Sequence, residues 1–150
     1  DGIRDYKVTG VQTCALPISA MLIHHTQDPQ WMADAYVVAK EPGGPAIWID
    51  CNGTHDDLHA FVAANDLDVQ GILLTHHHID HIYDLDEVVE RYGVPVGASA
   101  RAIELIREEG HYTGPIEYTL DDDGTFELAG LEIRAIPTPG HAGEIGRAHV

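Results

Sequence analysis

"LLTHHHIDHIYDL", residues 73–85, sets four histidines and an aspartate within six consecutive positions, His76 to His81. The run that leads into it, "VQGILLT" (69–75), is short and almost wholly apolar, as expected of a strand buried on both faces. Side chains alternate along an extended backbone, so His76 and His78 are expected to point together and His77 away. After Ile79 the chain must turn toward the next helix, which carries Asp80 and His81 round to the same mouth. The carboxyl end of a strand, on the way into a helix, is where open α/β sheets usually place their sites. Neutral imidazoles with a carboxylate suit zinc, iron or manganese better than calcium or magnesium. A further histidine, His141 in "PTPGHAG", follows the strand-like "LEIRAI" on a Pro/Gly turn and is a candidate for the same cluster.

Outward from this segment the pattern alternates. "ADAYVVAKE" (33–41) and "PAIWID" (45–50) read as strands joined by Pro42-Gly43-Gly44. Thr54 is placed as an N-cap, with Asp57 at the capping-box position, for a helix to about Asn65 whose buried face carries Leu58, Phe61 and Val62. Helices are expected over Leu85–Tyr92, ending at Gly93, and over Ala100–Glu109, ending at Gly110, with the strand "VPVGAS" between them. "IEYTL", "GTFELAG" and "LEIRAIPT" read as strands, the first two joined as a hairpin by the turn Asp123-Gly124. Strands alternating with helices, then an antiparallel run, predict an α/β architecture.

The chain has 150 residues, enough for one domain with a real core. Acidic residues outnumber basic ones 25 to 8, giving a net charge of −17. Such a surface repels phosphate backbones, so nucleic acid is not an expected partner. No apolar run approaches the roughly 20 residues that span a bilayer, so neither is a membrane. The two cysteines, Cys14 and Cys51, make neither a disulfide framework nor a thiolate cage. Both ends read differently from the rest. Back-translated, Asp1–Asp5 and Val8–Ile18 resemble consecutive parts of a common short-read sequencing adapter, and Ile145–Val150 resembles adapter sequence too. Residues 1–18 and 145–150 are therefore expected to lie outside the fold, leaving 19–144 as a partial domain. Met21 then opens directly into strand-like sequence with no signal-peptide core, which points to the cytoplasm.

With these residues in place, the chain resembles the metallo-β-lactamase fold superfamily, and within it the glyoxalase-II-like hydrolases. The H-x-H-x-D-H motif matches His76, His78, Asp80 and His81, "TPGH" matches the next metal-binding segment at His141, and "WIDCNG" matches the early strand ending in Asp50. The resemblance covers essentially all of Ala20–Gly143. It implies the N-terminal part of an αββα sandwich, with His76, His78 and His141 on one metal, Asp80 and His81 contributing to a second, and Asp50 supporting the metal loop. It implies up to two zinc ions, iron or manganese being possible, and hydrolysis of a small thioester or ester by a metal-bound hydroxide, with Asp80 also orienting the attacking water. The family's bridging aspartate and last histidine normally follow the "TPGH" segment and are expected beyond Gly143, so this chain on its own is expected to be inactive. Two other implications stay open: an iron-dependent oxygenase resembling the persulfide dioxygenases, and a non-catalytic metal-binding module. The family's small-residue turn after the last motif histidine is replaced by Ile82-Tyr83-Asp84, which puts the local pocket shape at issue.

Other polar residues receive plainer readings. His55 and His59, four apart on a helix, are assigned to a solvated face; His24, His25 and His111 to the surface; and Cys51 to the core. Substrate and oligomeric state are not legible.

Overall fold

In the computed structural model, residues 21–120, 123–142 and the backbone of 147–149 are described. The first strands are β1 (Leu22–Gln27), β2 (Asp34–Ala39) and β3 (Pro45–Ile49), followed by helix α1 (His55–Ala64) and strand β4 (Asp68–Leu73). Then come α2 (Ile79–Ile82), α3 (Leu85–Tyr92), β5 (Val96–Ser99), α4 (Ala100–Glu109), β6 (Tyr118–Leu120), β7 (Thr125–Leu128), β8 (Leu131–Ile136) and β9 (Arg147–His149). Six strands form one sheet in the order β1-β2-β3-β4-β5-β6, antiparallel over β1–β3 and parallel from β3 to β6. A second sheet, β7-β8-β9, is antiparallel.

Strand alternation makes two cores out of the first sheet. Val37, Trp48 and Ile72 face one way and bury against Leu58, Val62, Val88, Ile103 and Ile106 of the helices. Their neighbours Val38, Ile47, Ile49 and Leu73 face the other way and bury against Ala129, Leu131 and Ile133 of the second sheet. The layers are therefore helix, sheet, sheet, which is the α/β class expected and three layers of the αββα sandwich. Gly71 marks the close approach: a Cβ there would lie 2.9 Å from a methyl of Leu128. The strand after which His141 comes, β8, lies across the sandwich from β4 rather than beside it.

The helix ends follow local chemistry. Gly93 and Gly110 close α3 and α4 in the left-handed conformation, with φ of 63° and 71°. Ser99 caps α4, its Oγ accepting the Ala102 N–H at 3.1 Å. Thr54 does not cap α1 with its side chain. Its hydroxyl lies 2.6 Å from Asn52 Oδ1 and 2.7 Å from Thr26 Oγ1, and these tertiary contacts win over the local cap.

One expectation needs correcting. Asp123-Gly124 does not join a hairpin: β6 pairs in parallel with β5, whereas β7 pairs with β8, so that segment crosses between sheets. The hairpin turn is Ala129-Gly130, both with positive φ (55° and 69°), as a tight two-residue turn requires. Of the ends expected to lie outside the fold, residues 1–18 fall outside the described residues. At the other end, Arg147–His149 pairs with β8. An open sheet edge accepts any extended backbone, so this pairing carries no information about the origin of the segment.

Candidate metal centre

Strand β4 ends at Leu73, and the histidines follow it in irregular backbone rather than in the strand itself. The separation of His76 and His78 from His77 survives nonetheless. His76, His78 and His141 each offer a ring nitrogen, and these nitrogens lie within 4.8 Å of one another. His78 Nδ1 is 3.0 Å from His141 Nε2. His77 turns toward α4, its Nε2 lying 3.4 Å from a Glu109 carboxylate oxygen.

The helical turn α2 brings Asp80 and His81 to the same mouth. It is fastened from below by the Cys51 N–H, which donates to the His81 carbonyl at 2.7 Å. Asp80 Oδ2 is 3.6 Å from His81 Nε2, and the His76 and His81 rings meet at a tilt of 50° with centroids 4.1 Å apart. Among the described residues these two find no third ligand, so only the three-histidine set is complete.

Asp50 organises this loop. It follows β3 with a φ of 58°, and its carbonyl accepts the Trp48 indole N–H at 2.8 Å. Only 2% exposed, its carboxylate accepts from the Thr75 N–H (2.8 Å), the Thr75 hydroxyl (2.6 Å) and His81 Nδ1 (2.9 Å). It caps no helix. Thr75 was not singled out in the sequence, where a threonine before a histidine run carries no mark of its tertiary partner.

Burial, then the neighbouring imidazoles His81, His78, His141 and His77, push the His76 pKa down to about 3. Burial also opposes the His81 cation, but the Asp50 hydrogen bond and charge, followed by Asp80 and Asp34, outweigh it and raise that pKa. His76 is thus held neutral, as a metal ligand must be. Its Nδ1 lies 3.0 Å from Thr75 Oγ1, while its buried Nε2 has no hydrogen-bond partner among the described residues. A buried polar atom left unpaired costs about 1–3 kcal/mol, so its presence marks a place where a further partner belongs. Zinc–nitrogen bonds of 2.0–2.1 Å put tetrahedral ligands about 3.3 Å apart, within reach of small side-chain rotations here. The residues fit a zinc-like ion.

Above the cluster opens a cavity of about 470 Å³, reached by His76, Asp80, His81 and His141 and walled by Trp31, Met32 and Tyr36. The β1–β2 loop that supplies the wall is preformed. Asp28 Oδ1 accepts the N–H groups of Gln30 and Trp31, and Met32 sits at a φ of 59°. The Ile82-Tyr83-Asp84 departure has a structural role. Ile82 is buried, Tyr83 meets the Trp31 ring edge-on with centroids 5.2 Å apart, and Asp84 lies 2.7 Å from His55 Nδ1.

The solvated-face reading of His55 and His59 is wrong. His59 is 4% exposed, pairs with the Tyr92 hydroxyl at 2.7 Å and packs on Trp48, because α3 closes over that side of α1. His24, His25 and His111 do have partners, in Asp57, Asp34 and Glu109. Cys51 is buried, and burial, then Asp50 and Asp84, push its thiol well up, which disfavours a nucleophilic thiolate.

Three comparisons with known proteins agree with this geometry. The family description "Metallo-beta-lactamase superfamily" matches residues 28–146. A probable polyketide biosynthesis zinc-dependent hydrolase of Bacillus velezensis is 28% identical over 77% of this chain and 50% of its own. A hydroxyacylglutathione hydrolase of Acidiphilium cryptum is 32% identical over 73% of this chain and 42% of its own. The crystal structure of the BLEG-1 B3 metallo-beta-lactamase superposes with a TM-score of 0.70 at 20% identity, over 83% of this chain and 65% of that one. The chain spans about half the length of the curated relatives it matches. No helix among the described residues is long and apolar enough to cross a membrane.

Proposed function

The chain belongs to the metallo-beta-lactamase superfamily, and from that premise we propose that it holds zinc through His76, His78 and His141 and serves the hydrolysis of a small thioester or ester. The observation that carries this reading is the convergence of three ring nitrogens within 4.8 Å, with His76 and His141 lining a walled cavity. Zinc on three neutral imidazoles supplies a Lewis acid for a carbonyl and a source of nucleophile at neutral pH. The chain's own groups do the rest. Asp80, at the cavity floor beside His81, accepts a hydrogen bond from the attacking water and aims it. Trp31, Met32 and Tyr36 bury the apolar part of the acyl group and keep bulk water away from the bond that breaks. The hydrolases of Bacillus velezensis and Acidiphilium cryptum support a hydrolytic reaction, and an acylglutathione is by its chemistry a thioester.

The test has two arms. Titrating the metal-free chain with zinc should give about one tight ion per chain, because Asp80 and His81 alone are a weak pair. A longer form that carries further ligands to join that pair should cleave an aliphatic thioester probe in a zinc-dependent manner. A chain that takes up no zinc, or a zinc-loaded longer form inert to thioesters and esters alike, would overturn the proposal. Activity restored by iron alone would favour an oxygenase.

A further inference from the structure

The bonding around Thr75 and Asp50 fixes more than position. An ionised carboxylate is an acceptor only, so at 2.6 Å the single hydroxyl proton of Thr75 must point at Asp50 Oδ2. The Thr75 oxygen then has only lone pairs to offer His76 Nδ1, 3.0 Å away, so that nitrogen must carry the ring proton. The same Asp50 Oδ2 receives His81 Nδ1 at 2.9 Å, which protonates His81 at the equivalent nitrogen. When each ring is neutral, the nitrogen left with a lone pair is Nε2. For His76 this is the buried atom without a partner; for His81 it is the atom facing Asp80.

We infer that the Thr75 hydroxyl is a positioning group through which one buried carboxylate, Asp50, sets the tautomers of His76 and His81 together, presenting both Nε2 atoms to the metal cavity. Asp50 holds His81 directly and His76 through Thr75. The Thr75 backbone N–H, which donates to Asp50 Oδ1, fixes the lever arm of this arrangement and does not depend on the side chain. Thr75 can therefore lose its hydroxyl without releasing the loop from Asp50. Outer partners of metal-bound histidines commonly act in this way, and their loss typically weakens metal binding about 10–100-fold.

The inference rests on His76 being a metal ligand, but its main readout needs no metal. Nitrogen-15 spectra of the histidine rings, taken metal-free at mildly alkaline pH, report which nitrogen bears the proton. The unsubstituted chain should show His76 and His81 both protonated at Nδ1. Thr75→Val, close in shape but without the hydroxyl, should shift His76 toward the Nε2–H form while His81 keeps its signature. Its zinc affinity in a chelator competition should fall about 10–100-fold. Thr75→Ser should restore both, which a purely packing role for the threonine would not predict. Should the valine variant fail to fold, Thr75→Ala poses the same question with less bulk. An unchanged His76 tautomer in the valine or alanine variant, or a serine variant as impaired as valine, would overturn the inference. Normal tautomers in a chain that takes up no zinc would leave it standing and defeat the metal-site reading instead.

Discussion

The consequence of a single side chain here depends on which way its ring faces. His78 and His77 are adjacent, yet one ring lies against His141 and the other against Glu109. His78→Ala should weaken zinc binding by more than the roughly 10–100-fold expected for an outer partner. His77→Ala should keep zinc affinity within a few-fold and instead cost about 1–2 kcal/mol of stability, as removal of a buried, partnered ring does. Chelator competition and urea unfolding on both variants separate the two effects, and equal losses of zinc affinity would refute the assignment. The pairing was foreseen from alternation, although the backbone at these residues is not a strand. His78 itself is extended, with φ −62° and ψ 144°, and its ring turns to His141 while that of His77 turns to Glu109.

Elements here are legible where their signals are local. The Gly93 and Gly110 stops, the apolar run of β4 and the amphipathic face of α1 were readable because each depends on neighbours within a turn or two. Ser99 is a clean test of such a signal. Ser99→Ala removes the acceptor for the Ala102 N–H and should cost about 1 kcal/mol in urea unfolding, with zinc stoichiometry unchanged. Misreadings arose where a local signal competed with a distant partner. Thr54 gave up its cap to Asn52 and Thr26. Asp123-Gly124 has the composition of a turn, but β6 found β5 and β7 found β8, and composition does not say which strands pair.

At the scale of the whole molecule, His59 ties α1 to α3. Burial, then the charges of Arg91 and His55, depress its pKa to about 4. The unfolded chain takes up a proton at this position near its ordinary value of about 6.5, and the folded chain refuses it until near pH 4. Its contribution to stability is thus fully present above about pH 6.5 and is lost as pH falls toward 4. At about 1.4 kcal/mol per unit, the whole window is on the order of 3 kcal/mol. His59→Gln, which can still bond Tyr92, should be less stable at neutral pH but show a flatter decline between pH 6.5 and 4 than the unsubstituted chain. Urea midpoints across that window decide it, and parallel curves would count against a neutral buried His59.

The sequence by itself determined the α/β class and the family, and it singled out His76, His78, Asp80, His81 and His141 as candidate ligands, because motif spacing and strand-to-helix order are properties of the chain alone. The bond partners of Asp50 needed the fold, since its carboxylate serves Thr75 and His81 from 25 and 31 residues away. So did Thr75, and so did the burial of His59, 33 residues from Tyr92. Strand alternation could say that Trp48 and Ile47 face opposite ways, but not which layer each would meet. Those choices belong to tertiary structure, because a hydrogen bond or a packed ring is decided by which distant group the sandwich brings within about 3–4 Å, and that distance is not written in sequence separation.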